Sequence, residues 1–151
     1  QETILTAPIS DEVKAGTKTT LSYGGGDNYC VTRGRLTSGY GYRTHPISGV
    51  RTFHNGIDIA ASTGTGVYAY ASGTVISVSQ NNTLGKYIAI DHGNGLVTRY
   101  LHLSKFSVEK GDKVQTGDRI GSVGNTGYST GSHLHFEVLK NGSYQNPWNY
   151  I

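Results

Sequence analysis

Short runs of β-forming residues, each bounded by glycine, are the feature that most restricts what this chain can fold into. Glycine accounts for 22 of the 151 residues, which is roughly twice its usual share of about 7%. No stretch carries the apolar period of an amphipathic helix, whereas β-rich runs recur between glycine-containing turns. The predicted strands are Gly66–Ala71, Gly73–Ser79, Lys86–Asp91, Leu96–Leu103, Lys113–Val114, Arg119–Val123 and His133–Leu139. The pattern therefore predicts an all-β, mostly antiparallel domain.

The first 30 residues differ from the remainder of the chain. They are polar, contain a run of three glycines at 24–26, and hold a single weak apolar patch. We predict that residues 1–30 form an N-terminal arm or linker, and that residues 31–151 form one folded domain. A chain of this length is long enough to bury a hydrophobic core of its own.

Charge and cysteine content exclude several classes of protein. The formal net charge is +3, which favours anionic surroundings, but no Lys/Arg run or aromatic–basic motif indicates a nucleic-acid partner. No apolar run approaches the roughly 20 residues of a membrane span, so we predict no membrane insertion. Cys30 is the single cysteine, so an intrachain disulfide is excluded, and we interpret it as a small buried residue. A monomer is the default expectation.

The stretch HLHFEV at 133–138 alternates polar and apolar side chains with a period of two, as in a strand with one buried face. His133, His135 and Glu137 then share the polar face. The segment by itself leaves three readings open: an ordinary exposed strand face, a metal site, or an acid–base pair. Glu137 would either orient a metal-binding histidine or pair with a surface arginine.

The segment HNGID at 54–58 offers a second pair of possible ligands, His54 and Asp58. On a straight strand their Cα atoms would lie about 13 Å apart, so we expect a bend near Asn55-Gly56. Two imidazoles and one carboxylate form a common catalytic zinc set that leaves one coordination position for water. His102 is either a polar-face histidine of its strand or a partner for His133.

Ordered motifs extend from Leu36 to Ile151. They are H-x-x-x-D at 54–58, Y-x-H-L-S at 100–104 and H-L-H-F-E at 133–137, together with segments 37–43, 45–46, 64–69, 91–95, 111–114 and 124–127. In this combination they resemble the lysostaphin-type zinc endopeptidases, which are bacterial and phage enzymes that cut peptide bonds in peptidoglycan stems and cross-bridges.

The resemblance implies a fold, a cofactor and a set of roles. The fold would be a compact, barrel-like antiparallel β-sheet with a substrate groove walled by loops. His54, Asp58 and His135 would bind one Zn²⁺, and His102 and His133 would be the catalytic histidines. The protein would be a secreted hydrolase, bacteriolytic and antimicrobial, acting on peptidoglycan peptides outside the cell or at the cell wall.

Substrate preference is the point at which the chain departs from part of that family. Several members that cut glycine bridges place a tyrosine shortly before the first zinc histidine, but here the preceding residues are SGVRTF. Tyr40 and Tyr42 are the nearest replacements, and strict glycine–glycine specificity is not expected. The predicted substrate-binding residues are Tyr42, Arg43 and Tyr128, with Arg43 or Arg51 contacting a carboxylate of the stem peptide.

Two other functions compete with the enzyme. A non-catalytic module of the same fold would bind wall peptide or activate a partner hydrolase, but it would be expected to lose a ligand or a catalytic histidine. A biotinyl or lipoyl carrier barrel is suggested by the Gly-Asp turns at 111–112 and 117–118. That reading leaves the five placed histidine and aspartate residues without a role and rests on fold analogy alone.

Overall fold

The computed structural model describes residues 28–44 and 48–151. These residues form fourteen β-strands and a short 3₁₀ helix at Pro147–Asn149. The strands are β1 (Asn28–Tyr29), β2 (Thr32–Arg33), β3 (Arg35–Ser38), β4 (Gly41–Thr44), β5 (Arg51–His54), β6 (Ile57–Ala60), β7 (Gly66–Tyr68), β8 (Gly73–Asn81), β9 (Gly85–Gly93), β10 (Leu96–Phe106), β11 (Lys113–Val114), β12 (Arg119–Val123), β13 (His133–Lys140) and β14 (Ser143–Gln145). Across the described part of the chain, no helix has the length and apolar character needed to cross a membrane.

Twelve of these strands form one antiparallel sheet that branches at β10. The main path runs β11-β8-β9-β10-β12-β7-β2-β1, while β13 pairs with β10, β14 and β6, and β6 pairs with β3. One edge of β10 carries two partners in succession, because residues 96–101 pair with β13 and residues 103–106 pair with β12. Strands β4 and β5 form a separate hairpin. The predicted all-β antiparallel fold is confirmed.

The core lies on the apolar faces of the long strands. The large side chains with no exposed surface include Tyr100, Phe136, Ile57, Ile59, Ile88, Ile90 and Leu103. On β13 the alternation is strict: Leu134, Phe136 and Val138 are each 0% exposed, so the opposite face of this strand is left for the polar residues. The predicted two-faced strand is confirmed.

The N-terminal arm lies mostly outside the described residues, since the description begins at residue 28. Strand β1 pairs with β2, and Cys30 packs in the core with 7% of its surface exposed, in agreement with its interpretation as a small buried residue. A domain boundary at residue 30 stays a prediction.

The backbone bends where it was expected to, between β5 and β6. Strand β5 ends at His54 in the small hairpin, and β6 begins at Ile57 in the main sheet. A Cβ atom on Gly56 would lie 2.3 Å from the carbonyl oxygen of Phe136, so only glycine permits this close approach of the bend to β13. The bend brings His54 back over the sheet beside Asp58.

Candidate active site

Three donor side chains from different strands converge on one point. Asp58 and His135 stand directly opposite each other in the β6–β13 ladder, and the bend delivers His54 to the same place. His54 Nε2 lies 3.2 Å from His135 Nδ1 and 3.2 Å from Asp58 Oδ2, and His135 Nδ1 lies 2.7 Å from Asp58 Oδ1. Two imidazole nitrogens and a carboxylate thus form a compact donor set.

The spacing of these donors matches one tetrahedral ion. With metal–donor bonds of about 2.0–2.2 Å, ligand atoms on tetrahedral zinc lie roughly 3.3–3.6 Å apart. The two separations of 3.2 Å fall within a few tenths of an ångström of that range. The third, 2.7 Å between His135 Nδ1 and Asp58 Oδ1, is shorter because these two atoms are hydrogen-bonded. His54 and His135 are 6% and 9% exposed, so the donor set is shielded but open on the groove side. The residues present therefore fit a single zinc ion.

Each imidazole of the donor set is fixed through its other ring nitrogen. His54 Nδ1–H donates to the carbonyl of Gly39 at 2.8 Å, which leaves Nε2 for the cluster. His135 Nε2–H donates to Glu137 Oε2 at 3.0 Å, which leaves Nδ1. Such partners set the tautomer and the ring orientation of metal-binding histidines.

Glu137 is buried, with 5% of its surface exposed, and contacts both of the partners that the sequence suggested. One carboxylate oxygen accepts from His135, and the other lies 3.1 Å from Arg99 Nη1 as an ion pair. Arg99 and Glu137 are cross-strand neighbours. The arginine neutralises a carboxylate that would otherwise be costly to bury beside the donor set.

The electrostatics of the cluster favour charged Asp58. Burial would raise the pKa of Asp58, but the hydrogen bonds from His135 and His54 hold that pKa far below its usual range. Burial likewise opposes protonation of His135, yet its bonds to Asp58 and Glu137 raise its pKa to about 9. Both pKa shifts show that positive charge is stabilised next to the Asp58 carboxylate in this cluster.

His102 and His133 lie side by side next to the donor set. Their ring centroids are 4.9 Å apart, and His133 Nε2 is 3.7 Å from Asp58 Oδ1. His133 Nδ1–H donates to the carbonyl of Gly131 at 2.8 Å, and His102 Nδ1–H donates to that of Thr126 at 2.7 Å. Both Nε2 atoms are left for chemistry at the cluster. All five histidine and aspartate residues named from the sequence therefore meet at one place.

His102 reaches the site by a route that the alternation of β10 did not predict. Period-two alternation would put His102 on the same face as Tyr100, but Tyr100 is fully buried in the core. The β9–β10 register shifts between the pairs Ile88–Tyr100 and Lys86–Leu103, and His102 has a φ of +66°. This bulge turns the His102 side chain to the opposite face, where burial lowers its pKa despite the bond to Thr126.

A groove of about 710 Å³ passes over the five residues. Beyond the five, the lining includes Arg43, Thr44, Ser48, Val50, Thr52, Thr83, Leu84, Leu101, Tyr128, Ser129, Thr130 and Glu137. The expected loop-walled groove is present, and both Arg43 and Tyr128 line it.

Tyr42, by contrast, is not placed at the groove. It lies on the outer face of the β4–β5 hairpin, where its ring packs edge-on against Phe53 at 5.0 Å and under the Arg51 guanidinium at 4.5 Å. The Tyr40 hydroxyl donates to the carbonyl of Tyr144 and is likewise absent from the lining. Neither tyrosine lines the groove in place of the one missing before His54, and Arg51, which stacks on Tyr42, is not among the lining residues.

Comparison with known proteins agrees with this geometry. The profile of Peptidase family M23 matches residues 52–147. The chain is 48% identical over 100 residues to the peptidoglycan DD-endopeptidase ShyA of Vibrio cholerae, a match that covers 66% of this chain and 23% of that protein. The chain thus spans about a quarter of the length of this curated relative.

Solved structures share the fold as well. A zinc-containing peptidase from Vibrio cholerae superposes with a TM-score of 0.71 at 42% identity, covering 75% of this chain and 35% of the other. The catalytic domain of the antimicrobial peptidase lysostaphin from Staphylococcus simulans superposes with a TM-score of 0.68 at 36% identity, covering 76% and 89%. The likeness therefore extends to most of a catalytic domain.

Proposed function

Because the chain belongs to peptidase family M23, we propose that it is a zinc-dependent endopeptidase that hydrolyses peptide bonds in peptidoglycan. The observation that carries the proposal is the convergence of His54, Asp58 and His135 beside a histidine pair on the floor of one groove. A donor set alone would suit a structural ion, but a neighbouring pair of imidazoles at the groove supplies the acid–base groups that hydrolysis needs.

Three side chains are proposed to hold the zinc: His54 through Nε2, His135 through Nδ1, and Asp58 through its carboxylate. Zinc, when bound, contributes Lewis acidity, which polarises a peptide carbonyl and lowers the pKa of water. Glu137 and the carbonyl of Gly39 hold the two imidazoles in the required tautomers. These contacts support a site that is organised before substrate arrives.

Proton transfer is assigned to the histidine pair. We propose that His133 Nε2, which lies 3.7 Å from Asp58 Oδ1, accepts the proton of the attacking water. The ring centroid of His102 lies 6.2 Å from that of His135, so His102 is the more distant member of the pair. His102 is proposed to hydrogen-bond the oxygen on which negative charge develops, and the pair to return the proton to the leaving amine.

Arg43 is proposed to recognise a carboxylate of the substrate. Its Nη1 lies 3.6 Å from Asp58 Oδ2 and donates to Ser38 Oγ, while about half of the side chain remains exposed to the groove. Stem peptides of peptidoglycan carry carboxylates, whereas a glycine bridge carries none along its length. Arg43 therefore favours a stem-peptide substrate, with the exposed ring of Tyr128 on the opposite wall.

Replacing Arg43 with glutamine is expected to raise the KM for stem peptides that bear a free carboxylate by roughly tenfold. A charge-assisted hydrogen bond contributes about 1.5–3 kcal/mol, and exposure puts this one at the low end. Amidated versions of the same peptides should change by less than about twofold. The control is Arg51→Gln, on the outer face of the hairpin. An equal rise in KM for the free-carboxylate and the amidated peptides would mean that Arg43 acts through its ion pair with Asp58 and does not bind the substrate carboxylate.

The setting of the activity is proposed from its substrate. Peptidoglycan lies outside the cytoplasmic membrane, so the protein would act extracellularly or at the cell wall, as a secreted, bacteriolytic and antimicrobial enzyme. The net charge of +3 would raise its local concentration at an anionic wall. We propose that it works as a monomer without membrane insertion, since one chain supplies the complete site.

Digestion of purified peptidoglycan tests the proposed function. Zinc-loaded protein would be incubated with walls that have direct cross-links and with walls that have glycine bridges, and the released fragments would be sequenced by mass spectrometry. We expect new amino termini within stem peptides or at their cross-links. If the loaded protein binds walls of both kinds yet releases no fragment, it is a wall-binding module of the same fold.

A further inference from the structure

The segment Gly124–Gly127 sits where the branched sheet divides, immediately after β12. On strand β10, pairing with β13 ends at Leu101 and pairing with β12 begins at Leu103. His102 therefore falls between two ladders. Its positive φ is an uncommon conformation for a residue with a side chain, and the neighbouring structure must hold it there.

Thr126 supplies much of that support through three hydrogen bonds. Its carbonyl accepts from His102 Nδ1–H at 2.7 Å. Its hydroxyl accepts from the backbone N–H of Lys86 at 3.0 Å and donates to the carbonyl of Leu103 at 2.6 Å. The side chain thus ties its own backbone to both strands that flank the bulge, and the carbonyl that holds the imidazole is fixed in place.

Close backbone contact on the other side of Thr126 reinforces this arrangement. A Cβ atom on Gly127 would lie 2.2 Å from the nitrogen of Gly85, and one on Gly85 would lie 2.4 Å from the carbonyl oxygen of Thr126. Both glycines have positive φ, and a side chain at either position would clash with the facing backbone, so only glycine is accommodated there. The backbone N–H of His102 also donates to the carbonyl of Leu84. The β8–β9 turn and the segment Gly124–Gly127 therefore both contact the bulge and stabilise it.

The same segment reaches the second histidine. The backbone N–H of His133 donates to the carbonyl of Gly124 at 3.1 Å, in an isolated antiparallel bridge. One stretch of four residues therefore contacts His102 through its third residue and His133 through its first. The separation of the two rings depends on the conformation of this stretch.

We infer that Thr126 is a positioning residue for His102, and that Gly124–Gly127 sets the spacing of the histidine pair. A carbonyl at Nδ1 selects the neutral tautomer in which Nδ1 is protonated and Nε2 is free to face the groove. The Thr126 hydroxyl acts indirectly, because its hydrogen bonds hold the Thr126 carbonyl in position. The inference rests on the proposed function only in assigning His102 a part in cleavage.

The test compares zinc-loaded Thr126→Val with Thr126→Ser. Valine keeps the shape of threonine and removes both hydroxyl bonds, whereas serine retains them. We expect Thr126→Val to lower kcat by roughly 10–100-fold, as for other residues that orient a functional imidazole. KM and bound zinc should change by less than about twofold, and Thr126→Ser should recover most of the lost rate. The matched control is Thr32→Val, which removes a buried threonine hydroxyl that donates to the carbonyl of Gly66, away from the groove lining.

A second readout does not depend on cleavage. Nitrogen-15 NMR of the zinc-loaded protein reports which ring nitrogen of His102 carries the proton. Wild type should show a protonated Nδ1 and a free Nε2, and Thr126→Val should show a mixture of tautomers or a shifted Nδ1 signal. This readout decides the positioning role even if wild type cuts no peptidoglycan, which would defeat only the proposed function.

Two results would overturn the inference. One is a Thr126→Val protein with wild-type kcat and unchanged His102 ring signals. The other is a wild-type His102 whose proton resides on Nε2, and this measurement still decides the matter if the valine variant does not fold.

Discussion

Replacing Asp58 with asparagine is expected to release the zinc and to eliminate cleavage. Asp58 is the single anionic member of the donor set, and its two oxygens lie 2.7 Å from His135 Nδ1 and 3.2 Å from His54 Nε2. Asparagine has nearly the same shape but cannot offer charge to a cation. The loss of zinc affinity should exceed the roughly 10–100-fold that follows removal of an outer partner of a metal ligand.

Zinc content per chain after dialysis, measured by mass spectrometry, checks this expectation. Thermal unfolding of the metal-free proteins, followed in parallel, separates loss of the ion from loss of the fold. The matched control is Asp118→Asn, because the Asp118 carboxylate accepts from the backbone N–H of Gln115 in an exposed turn. Retention of one zinc at wild-type affinity by Asp58→Asn would remove Asp58 from the ligand set.

Replacing His133 with alanine should lower kcat by about 10²–10⁴-fold while the zinc stays bound. A positioned acid–base group contributes a factor of this size. His133 lies beside the donor set, with Nε2 3.7 Å from Asp58 Oδ1, but the three proposed ligands remain intact without it. Loss of rate without loss of metal distinguishes a group that moves protons from one that binds the ion.

Steady-state kinetics on a soluble stem peptide, with zinc content measured on the same sample, provide the comparison. His92→Ala is the control, because His92 is also partly buried but bonds to Ser72 and Thr98 on another part of the sheet. It should lower stability and leave kcat unchanged. If His133→Ala lost zinc together with activity, His133 would itself be a ligand.

The strands and one half of the site could be predicted from the sequence because they depend on local rules. Alternation in HLHFEV fixed the polar face of β13, and its histidines and Glu137 lie there as expected. Glycine-bounded runs predicted seven of the fourteen described strands: Lys113–Val114 and Arg119–Val123 match the structure residue for residue, and the other five differ by a few residues at their ends. Strands β1 to β6 and β14 were not among the predicted strands. The bend at Asn55-Gly56 followed from the reach of the His54 and Asp58 side chains alone.

The remainder depends on tertiary contacts that no single segment encodes. The His102 side chain turns to the site only because the sheet forks and bulges there, so period-two alternation put it on the wrong face. Alternation with Ile57 and Ile59 would put Phe53 on an apolar inner face, yet it is 42% exposed, because β5 leaves the main sheet. The glycine-containing segment 91–95 would predict an exposed His92 in a turn, but the His92 side chain hydrogen-bonds Thr98.

The predicted groove tyrosines show the same limit. Position in the chain put Tyr40 and Tyr42 near His54, but the pleat of the β4–β5 hairpin turns Tyr42 outward and leaves Arg43 at the groove. The role of Thr126 was also invisible in the sequence, although the segment GNTG was itself conspicuous. Its importance comes from contacts with β9 and β10, about 23 to 40 residues earlier in the chain.

The most direct test of zinc-dependent hydrolysis is a titration of metal-free protein with zinc while peptidoglycan cleavage is followed. We predict no cleavage without metal, a linear rise in rate as zinc is added, and a break at one zinc per chain. The same titration of Asp58→Asn should show no such break, because that variant binds zinc much more weakly. Cleavage by the metal-free protein, or a full zinc site with no cleavage of any wall, would contradict this account.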